Sequence, residues 1–435
     1  MFRPLLSSSL FSSLFSSLFS SLFSSLFSSL FSSLFSSLFS SLFSSLFSSL
    51  FSSLFSSLFS SLFPPPFPPA RLAAAYGFYA NEFKSMSQRY FNEPPTPWPS
   101  METVAPFCEN DRLFLHLYAE LYYRHLYVIG QHSLRDMIDS WRNWCALFDF
   151  LIESPESAQY VLPLEWLYDI VNEYVYQFQS FCQLRNKVST LAAEDMEALL
   201  QNEAAWSPQT VIETLGALTK AARVKESISG QDTGVKSQPL ATLGYFAMIG
   251  KARVHIVLGD YRMVLASLMP IQLFEQGLFT RVTACHIMIY YCAGFAYMML
   301  RRYVDASACF RRILIFLSRT KNYQKREIQK KHDQIVALLA ITSALCPGVQ
   351  IEGSVRDLLN EQHGDKLPRL QAGQLNVYKD LFNYACPKFI SPNTPAVMET
   401  PSAYSQVSFA GPLFCSVLLC SVLSCSFVPS LFLCY

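Results

Sequence analysis

Residues 290–314 read YYCAGFAYMMLRRYVDASACFRRIL, and this stretch decides the fold class. Small residues occur where two helices must approach each other closely, and aromatic residues occur where side chains must fill the groove between those helices. The stretch therefore predicts a helix–turn–helix unit. The residues expected to make its packing contacts are Gly294, Tyr297, Tyr303, Ala306 and Phe310.

A looser copy of this pattern precedes it in the chain. When His255–Ile271 is aligned with Tyr297–Ile313, Tyr261 falls on Tyr303 and Leu268 takes the place of an aromatic residue. These residue types and offsets are those of tetratricopeptide-type repeats. One such unit cannot bury its apolar face alone, so the segments on either side should be helical too. We predict an all-α array of stacked helical repeats, an architecture that usually serves as a binding scaffold.

Composition divides the chain into four parts. Residues 1–75 hold a repeated Ser-Ser-Leu-Phe tract, Ser8–Phe63, and a proline-rich spacer. A four-residue repeat advances about 400° around an α-helix, so its apolar stripe drifts and cannot lie against one core. We expect this part to be disordered. An N-terminal helical region is predicted over 76–244, the repeats over 245–392, and a linker with an apolar tail over 393–435.

Local signals place the ends of several helices. Asn110 is expected to cap the first helix and Gly130 to end it, because glycine readily takes the left-handed conformation that follows many helices. Ser133 and Ser207 should begin further helices, and Pro163 should open a long one. No stretch alternates polar and apolar residues in a way that predicts a strand. The rest of the expected pattern is a loop over Ser227–Pro239 and helices over Leu191–Leu200, Ile335–Leu345, Val355–Leu359 and Val377–Ala385.

The sequence contains no recognisable catalytic arrangement. Its charges nearly balance, with a formal net charge of +1, so no global field draws the protein to nucleic acid or membrane. The glycines are isolated and form no phosphate-binding loop. His116 and His125 point in opposite directions from one helix, and the cysteines lack zinc-binding spacing. We therefore predict no enzymatic activity, no cofactor and no metal, and we expect the cysteines to be buried thiols in a reducing compartment.

One charged feature stands out from this background. Arg301–Lys331 carries ten Lys or Arg residues against Asp305 and Glu327. A solvated outer face of the last helices would account for the excess, and so would a surface that contacts RNA phosphates without reading sequence. The candidates for such an RNA or ribosome contact, at or beyond the end of the helix, are Arg319, Lys321, Lys325 and Arg326.

Several short strings, in order between Tyr76 and Pro392, indicate a family. They are Glu120-Leu-Tyr-Tyr-Arg-His-Leu-Tyr127, Tyr176-Gln-Phe-Gln-Ser-Phe181, Leu243-Gly-Tyr-Phe246, Leu258-Gly-Asp-Tyr261, Gly294-Phe-Ala-Tyr297 with Arg301-Arg-Tyr303, Ser318-Arg-Thr-Lys321 and Cys386-Pro-Lys-Phe-Ile-Ser-Pro392. On these strings the chain resembles the subunit L family of eukaryotic translation initiation factor 3. The resemblance implies a PCI-type helical domain in a non-catalytic scaffold subunit of a cytoplasmic, multi-subunit factor. That factor binds the small ribosomal subunit and promotes mRNA recruitment, and its subunits K and E are the nearest expected partners.

Two parts of the chain are expected to depart from that family. Members continue past the position of Pro392 into a winged-helix module that closes the PCI domain, whereas Asn393 onward should differ and leave that domain truncated. The Ser-Ser-Leu-Phe tract has no counterpart in the family. The tail, Phe409–Tyr435, is uncharged but is broken by prolines into stretches shorter than the ~17–25 residues that span a bilayer.

Two alternatives to an initiation-factor subunit stay open. The repeat pattern alone would also suit a helical scaffold subunit of another PCI complex. The apolar tail would suit a tail-anchored membrane protein built on helical repeats, although we do not expect a membrane anchor, because no basic flank precedes the tail.

Overall fold

The computed structural model describes residues 98–108, 110–186, 191–319 and 326–391, all within one compact unit. Every regular element in these ranges is a helix, which confirms the all-α prediction. The fifteen α-helices are α1 Met101–Val104, α2 Arg112–Ile129, α3 Leu134–Glu153, α4 Leu164–Arg185, α5 Ala193–Gln201, α6 Pro208–Ala221, α7 Val224–Ile228, α8 Gln238–Val257, α9 Tyr261–Leu268, α10 Thr283–Met299, α11 Tyr303–Arg319, α12 Arg326–Leu345, α13 Gly353–His363, α14 Leu367–Gln371 and α15 Leu375–Ala385. The predictions for the Ser-Ser-Leu-Phe tract and the apolar tail lie outside the described residues.

Short-range hydrogen bonds fix the ends of the first long helices. Ser133 caps α3 in a reciprocal capping box with Asp136, and Gly130 ends α2 in the left-handed conformation at φ 70°. The cap of α2 is Asp111 rather than the predicted Asn110. The Asp111 carboxylate accepts from the Phe114 N–H at 2.8 Å, while Asn110 occupies the preceding turn at φ 56°, a conformation that asparagine tolerates.

Three other boundaries differ from the predicted pattern. Helix α12 begins at Arg326, well before Ile335, because its first turns are polar and carry no apolar periodicity to detect. Helix α7 extends into the start of the predicted Ser227–Pro239 loop, and α8 begins at Gln238, just before the loop's predicted end. The short helix α14 was not predicted, since five residues are too few for a periodic signal.

Helix α8 is the centre of the array. Fifteen of its twenty residues are buried, and it packs against α4 and α6 on one side and against α9 and α10 on the other. Two glycines allow the close approach on the first side. A Cβ on Gly244 would lie 2.8 Å from the Leu218 carbonyl oxygen of α6, and a Cβ on Gly250 would lie 2.5 Å from Val171 Cγ1 of α4. The boundary predicted at residue 245 falls inside α8, and the division into domains stays a prediction.

The second half of the array continues from α8 through α10, α11 and α12. Helix α10 is also buried nearly all round, with 12 of its 17 residues in the core, and α12 then packs against α13, α14 and α15. The chain finally returns to α8, where the Ile390 N–H donates to the Val257 carbonyl at 2.8 Å. In the part of the chain that the structure describes, no helix combines the length and the apolar character that crossing a membrane requires.

Candidate functional site

The predicted packing residues lie at the contact between α10 and α11. Phe310 is fully buried, and its ring occupies the space next to Gly294. A Cβ on Gly294 would lie 2.8 Å from Cδ1 and 2.9 Å from Cζ of that ring, and closer still to Cε1. Ala306 is buried one turn before Phe310 on α11. These three residues therefore sit where the two helices approach most closely.

The two predicted tyrosines lie nearer to the turn between the same helices. Tyr303 is the first residue of α11 and is half-buried. Tyr297 is also half-buried, with the Arg302 guanidinium 4.7 Å from its ring centroid. Arg302 Nε in turn donates to Asp305 at 2.7 Å. The turn is thus covered by a cation–π contact and an ion pair.

The upstream copy of the pattern is also brought into the core. Tyr261, Val264 and Leu268 of α9 are all buried. The Tyr261 ring lies with its centroid 6.1 Å from that of Phe295 on α10. The two units are therefore in direct contact through an aromatic pair, as neighbouring repeats of a stacked array must be.

Part of the basic stretch is used inside the fold. Arg311 Nη1 donates to the Gln350 carbonyl at 2.9 Å and pairs with Glu352 at 3.2 Å, which ties α11 to the start of α13. Lys331 Nζ lies 3.9 Å above the ring of Tyr291. Burial is the main cause that lowers the pKa of Lys331 to about 8, and the nearby Arg253 acts in the same direction. These cations stabilise helix packing rather than forming a surface.

The four residues proposed for RNA contact are only partly described. Arg319 is the last residue of α11 and its side chain is exposed. Arg326 begins α12, but its side chain, like Lys321 and Lys325 altogether, lies outside what the structure describes. Arg319 is therefore the one residue of the four whose side chain the structure describes, and the RNA contact stays a prediction.

A buried polar network in the first half of the array was not foreseen from the sequence. Gln177 of α4 is fully buried, and its Oε1 accepts from Ser140 Oγ at 2.5 Å and from Trp144 Nε1 at 2.9 Å, both on α3. Its Nε2 donates to Glu173 at 3.2 Å. These bonds give the buried polar atoms of Ser140, Trp144 and Gln177 hydrogen-bond partners inside the α3–α4 contact.

Glu120 forms the second part of this network. Its carboxylate is buried between α2 and α4, where it accepts from Arg124 Nε at 2.8 Å and from Trp166 Nε1 at 3.3 Å. Burial raises the pKa of Glu120 to about 7 even though Arg124 acts in the opposite direction. Burial raises the pKa of Glu173 as well. The only local sequence sign of this site was the spacing of Glu120 and Arg124, which places them one helical turn apart.

The side chains that could carry chemistry have structural neighbours. His116 Nδ1 lies 2.9 Å from Asn143 Oδ1, the His125 ring stacks on Trp98, and the His132 ring stacks on Tyr127. Burial raises the pKa of Cys292 to about 11, so this thiol stays protonated. Among the described residues, no group of three or more His, Cys, Asp or Glu side chains could hold a metal ion.

One cleft is large enough to receive a small ligand or a few residues of a peptide. It has a volume of about 460 Å³ and lies between α7, the start of α8 and the segment before α10. Its floor is apolar, with Tyr245, Ile271 and Phe279 buried below it, while Gln272 and Glu275 stand exposed at its rim. It gathers no set of convergent charged or nucleophilic groups.

Comparison with known proteins agrees with this architecture. Residues 136–416 match the family described as RNA polymerase I-associated factor PAF67, a match that extends past Asn393. Eukaryotic translation initiation factor 3 subunit L from Nematostella vectensis is 37% identical over 347 residues, covering 76% of this chain and 66% of that protein. The same subunit from Bos taurus and from Homo sapiens is 38% identical over 335 residues, covering 73% of this chain and 59% of each relative.

The chain thus spans about three-fifths to two-thirds of the length of these curated relatives. The similarity includes most of the described helices, since the family match begins within α3 and runs past α15. The resemblance inferred from the short strings is confirmed, and the chain belongs to the PAF67 family, in which the relatives compared are subunit L of eukaryotic translation initiation factor 3.

Proposed function

We propose that this protein is a non-catalytic scaffold subunit of eukaryotic translation initiation factor 3. The observation that carries the proposal is the similarity to subunit L over about three-quarters of the chain. In this role it would support binding of the small ribosomal subunit and recruitment of mRNA in the cytoplasm. Subunits K and E of the factor are the partners that we expect to lie nearest.

The architecture supports a scaffold role. Two helices, α8 and α10, are buried nearly all round by the helices that pack against them, so the outer faces of those surrounding helices are the surface that the array offers to partners. The buried side chains of Glu120 and Gln177 and the half-buried side chain of Arg311 form hydrogen bonds within the array. Such groups hold helices together and do not converge on a cavity where a reaction could occur.

The two alternatives from the sequence receive less support. A scaffold subunit of another PCI complex would share the helical array, but the relatives compared are all subunit L. A tail-anchored protein would depend on Phe409–Tyr435, which lies outside the described residues. The predicted RNA contact at the end of α11 is compatible with the scaffold role. Ribonuclease treatment of the assembled complex would remove such a contact, whereas a contact between proteins would persist.

Co-purification tests the proposal. The full chain, carrying an affinity tag, is expressed in eukaryotic cells, and nuclease-treated extracts are bound to resin and analysed by mass spectrometry. We expect the subunits of initiation factor 3, with K and E among the most abundant, and co-sedimentation of the tagged chain with the small ribosomal subunit. Recovery of a different PCI complex, or of the tagged chain alone, would overturn the proposal.

A matched variant shows whether the folded array is responsible. Replacing Gly294 with Val should disrupt the α10–α11 contact because its side chain would collide with Phe310. We expect this variant to lose the co-purifying subunits. Gly216 of α6 is the control position, since a Cβ there would meet only the end of the Lys251 side chain, at 3.8 Å. The Gly216→Ala variant should retain the same partners as the unsubstituted chain.

A further inference from the structure

Helix α11 carries a stripe of apolar and basic residues on its outer side. The stripe consists of residues at successive steps of four, four, three and four, which places them on one side of the helix. Its members, which we call the outer stripe, are Val304, Ala308, Arg312, Ile315 and Arg319. The opposite side of α11 holds the buried Phe310, Ile313 and Leu317 that pack on α10 and α12.

The outer stripe presents apolar surface to solvent. Val304 is 57% exposed, and Ala308 and Ile315 are half-buried. Phe274, whose backbone oxygen accepts from Arg312 Nη2 at 3.4 Å, is itself 57% exposed, and its ring lies 6.4 Å from that of Tyr290 on α10. A helix that only faces water normally carries polar residues on that side. Four apolar side chains in this setting indicate a surface that a partner covers.

The charge of the stripe is positive and largely uncompensated. Asp305 is the only acidic residue of α11, and it bonds Arg302 at 2.7 Å. Arg311, at the flank, pairs with Glu352. Within the described ranges, no carboxylate forms an ion pair with Arg312 or Arg319. A partner that covers the stripe therefore needs negative charge beside its apolar contacts.

Helical spacing defines the kind of partner. An amphipathic helix with apolar residues at i, i+3, i+4 and i+7 can lie along Val304, Ala308 and Ile315, and carboxylates beside that face would then reach Arg312 and Arg319. RNA would use the two arginines for its phosphates, but it would leave the aliphatic residues between them without a function. We propose that the outer stripe of α11 docks an acidic amphipathic helix of another protein subunit, an inference that rests on the proposed scaffold function.

Site-specific cross-linking in the assembled complex tests the inference. The photoreactive residue p-benzoylphenylalanine replaces Val304 in the tagged full chain, and the complex purified with it is irradiated and digested for mass spectrometry. We expect one dominant cross-linked peptide from another protein subunit, with a net negative charge and apolar residues at helical spacing. The yield should not change when the complex is treated with ribonuclease before irradiation.

Charge reversal tests the electrostatic part of the inference. In the cross-linking chain, Arg312→Glu together with Arg319→Glu should lower the yield about tenfold, because attraction becomes repulsion at the middle and at one end of the stripe. Arg135→Glu together with Arg262→Glu is the matched control. These arginines are exposed on α3 and α9, so the same change in net charge should leave the yield unaffected.

Three outcomes would overturn the inference while leaving the proposed function intact. They are co-purification of the factor without any cross-link at residue 304, a cross-link into RNA or one lost on ribonuclease treatment, and a cross-linked peptide that is neutral or basic. Failure of the unsubstituted chain to co-purify with the factor would instead overturn the proposed function, and the inference with it.

Discussion

Substituting Gly294 with Ala provides the sharpest test of how α10 and α11 pack. Alanine adds one methyl group at a position where a Cβ would lie under 3 Å from three carbon atoms of the Phe310 ring. The ring is fully buried, so it cannot move away without displacing its own neighbours. Overpacking of this kind costs about 1–3 kcal/mol.

A second glycine removes the contribution of helix propensity. Alanine is favoured over glycine in a helix interior by about 1 kcal/mol, and this gain applies equally to Gly294→Ala and to Gly216→Ala. At Gly216 the added methyl group meets nothing closer than Lys251 Nζ at 3.8 Å. We therefore expect Gly216→Ala to be stabilising. The difference between the two variants, about 1–3 kcal/mol, measures the collision with Phe310 alone.

Urea unfolding followed by circular dichroism gives the two free energies of unfolding. The double variant Gly294→Ala/Phe310→Leu supplies an internal check, since the smaller side chain vacates the space that the new methyl group needs. Phe310→Leu should then cost less in the Gly294→Ala background than in the unsubstituted chain, with a coupling of about 0.5–3 kcal/mol. Equal stability of the two single alanine variants, with no coupling, would show that α10 and α11 do not pack at Gly294.

Three further predictions concern side chains of the core. Phe310→Ala should destabilise the protein by about 3–5 kcal/mol and Tyr303→Ala by less, because Tyr303 is only half-buried; urea melts that rank them the other way would contradict the structure. The folded state favours the protonated form of Glu120, so the free energy of unfolding should fall as pH rises from 4.5 to about 7. In Glu120→Gln, urea melts across that pH window should give a free energy of unfolding that depends less on pH. His286 should have the opposite effect, because burial lowers its pKa from 6.5 to about 4 and the folded protein therefore loses stability as pH falls through that range. His286→Leu should reduce this loss, and a variant with the same acid dependence of stability as the unsubstituted chain would refute the role of His286.

The features that could be predicted from the sequence are those with local causes. Gly130 ends α2 and Ser133 caps α3 as expected, because the hydrogen bonds that fix a helix end involve residues within one turn of it. The close approach at Gly294 could be anticipated as well, because a glycine inside a helix weakens that helix unless a neighbouring element needs the space. The N-cap of α2 shifted by one residue because Asn110 and Asp111 are both good caps, and only the backbone conformation selects between them.

Long-range features could not be predicted in the same way. Gln177 gives no local sign that its partners are Ser140 and Trp144, more than thirty positions away in another helix. The ion pair between Arg311 and Glu352 depends on how α11 and α13 meet, and that geometry follows from the packing of the whole array. The sequence therefore showed an excess of positive charge, but not which of the cations face solvent.

The central position of α8 has a consequence for how the protein is made. During synthesis α4 and α6 emerge first and can cover one side of α8, but the side that meets α10 stays uncovered until Met299 has emerged from the ribosome. At about 5–20 residues per second, Met299 emerges roughly 2–8 s after Val257. The Val257 carbonyl lacks its hydrogen-bond donor for longer still, because that donor is the N–H of Ile390, far later in the chain. A nascent chain of this family therefore displays an apolar helix surface for seconds, so it should be a substrate for chaperones that act at the ribosome.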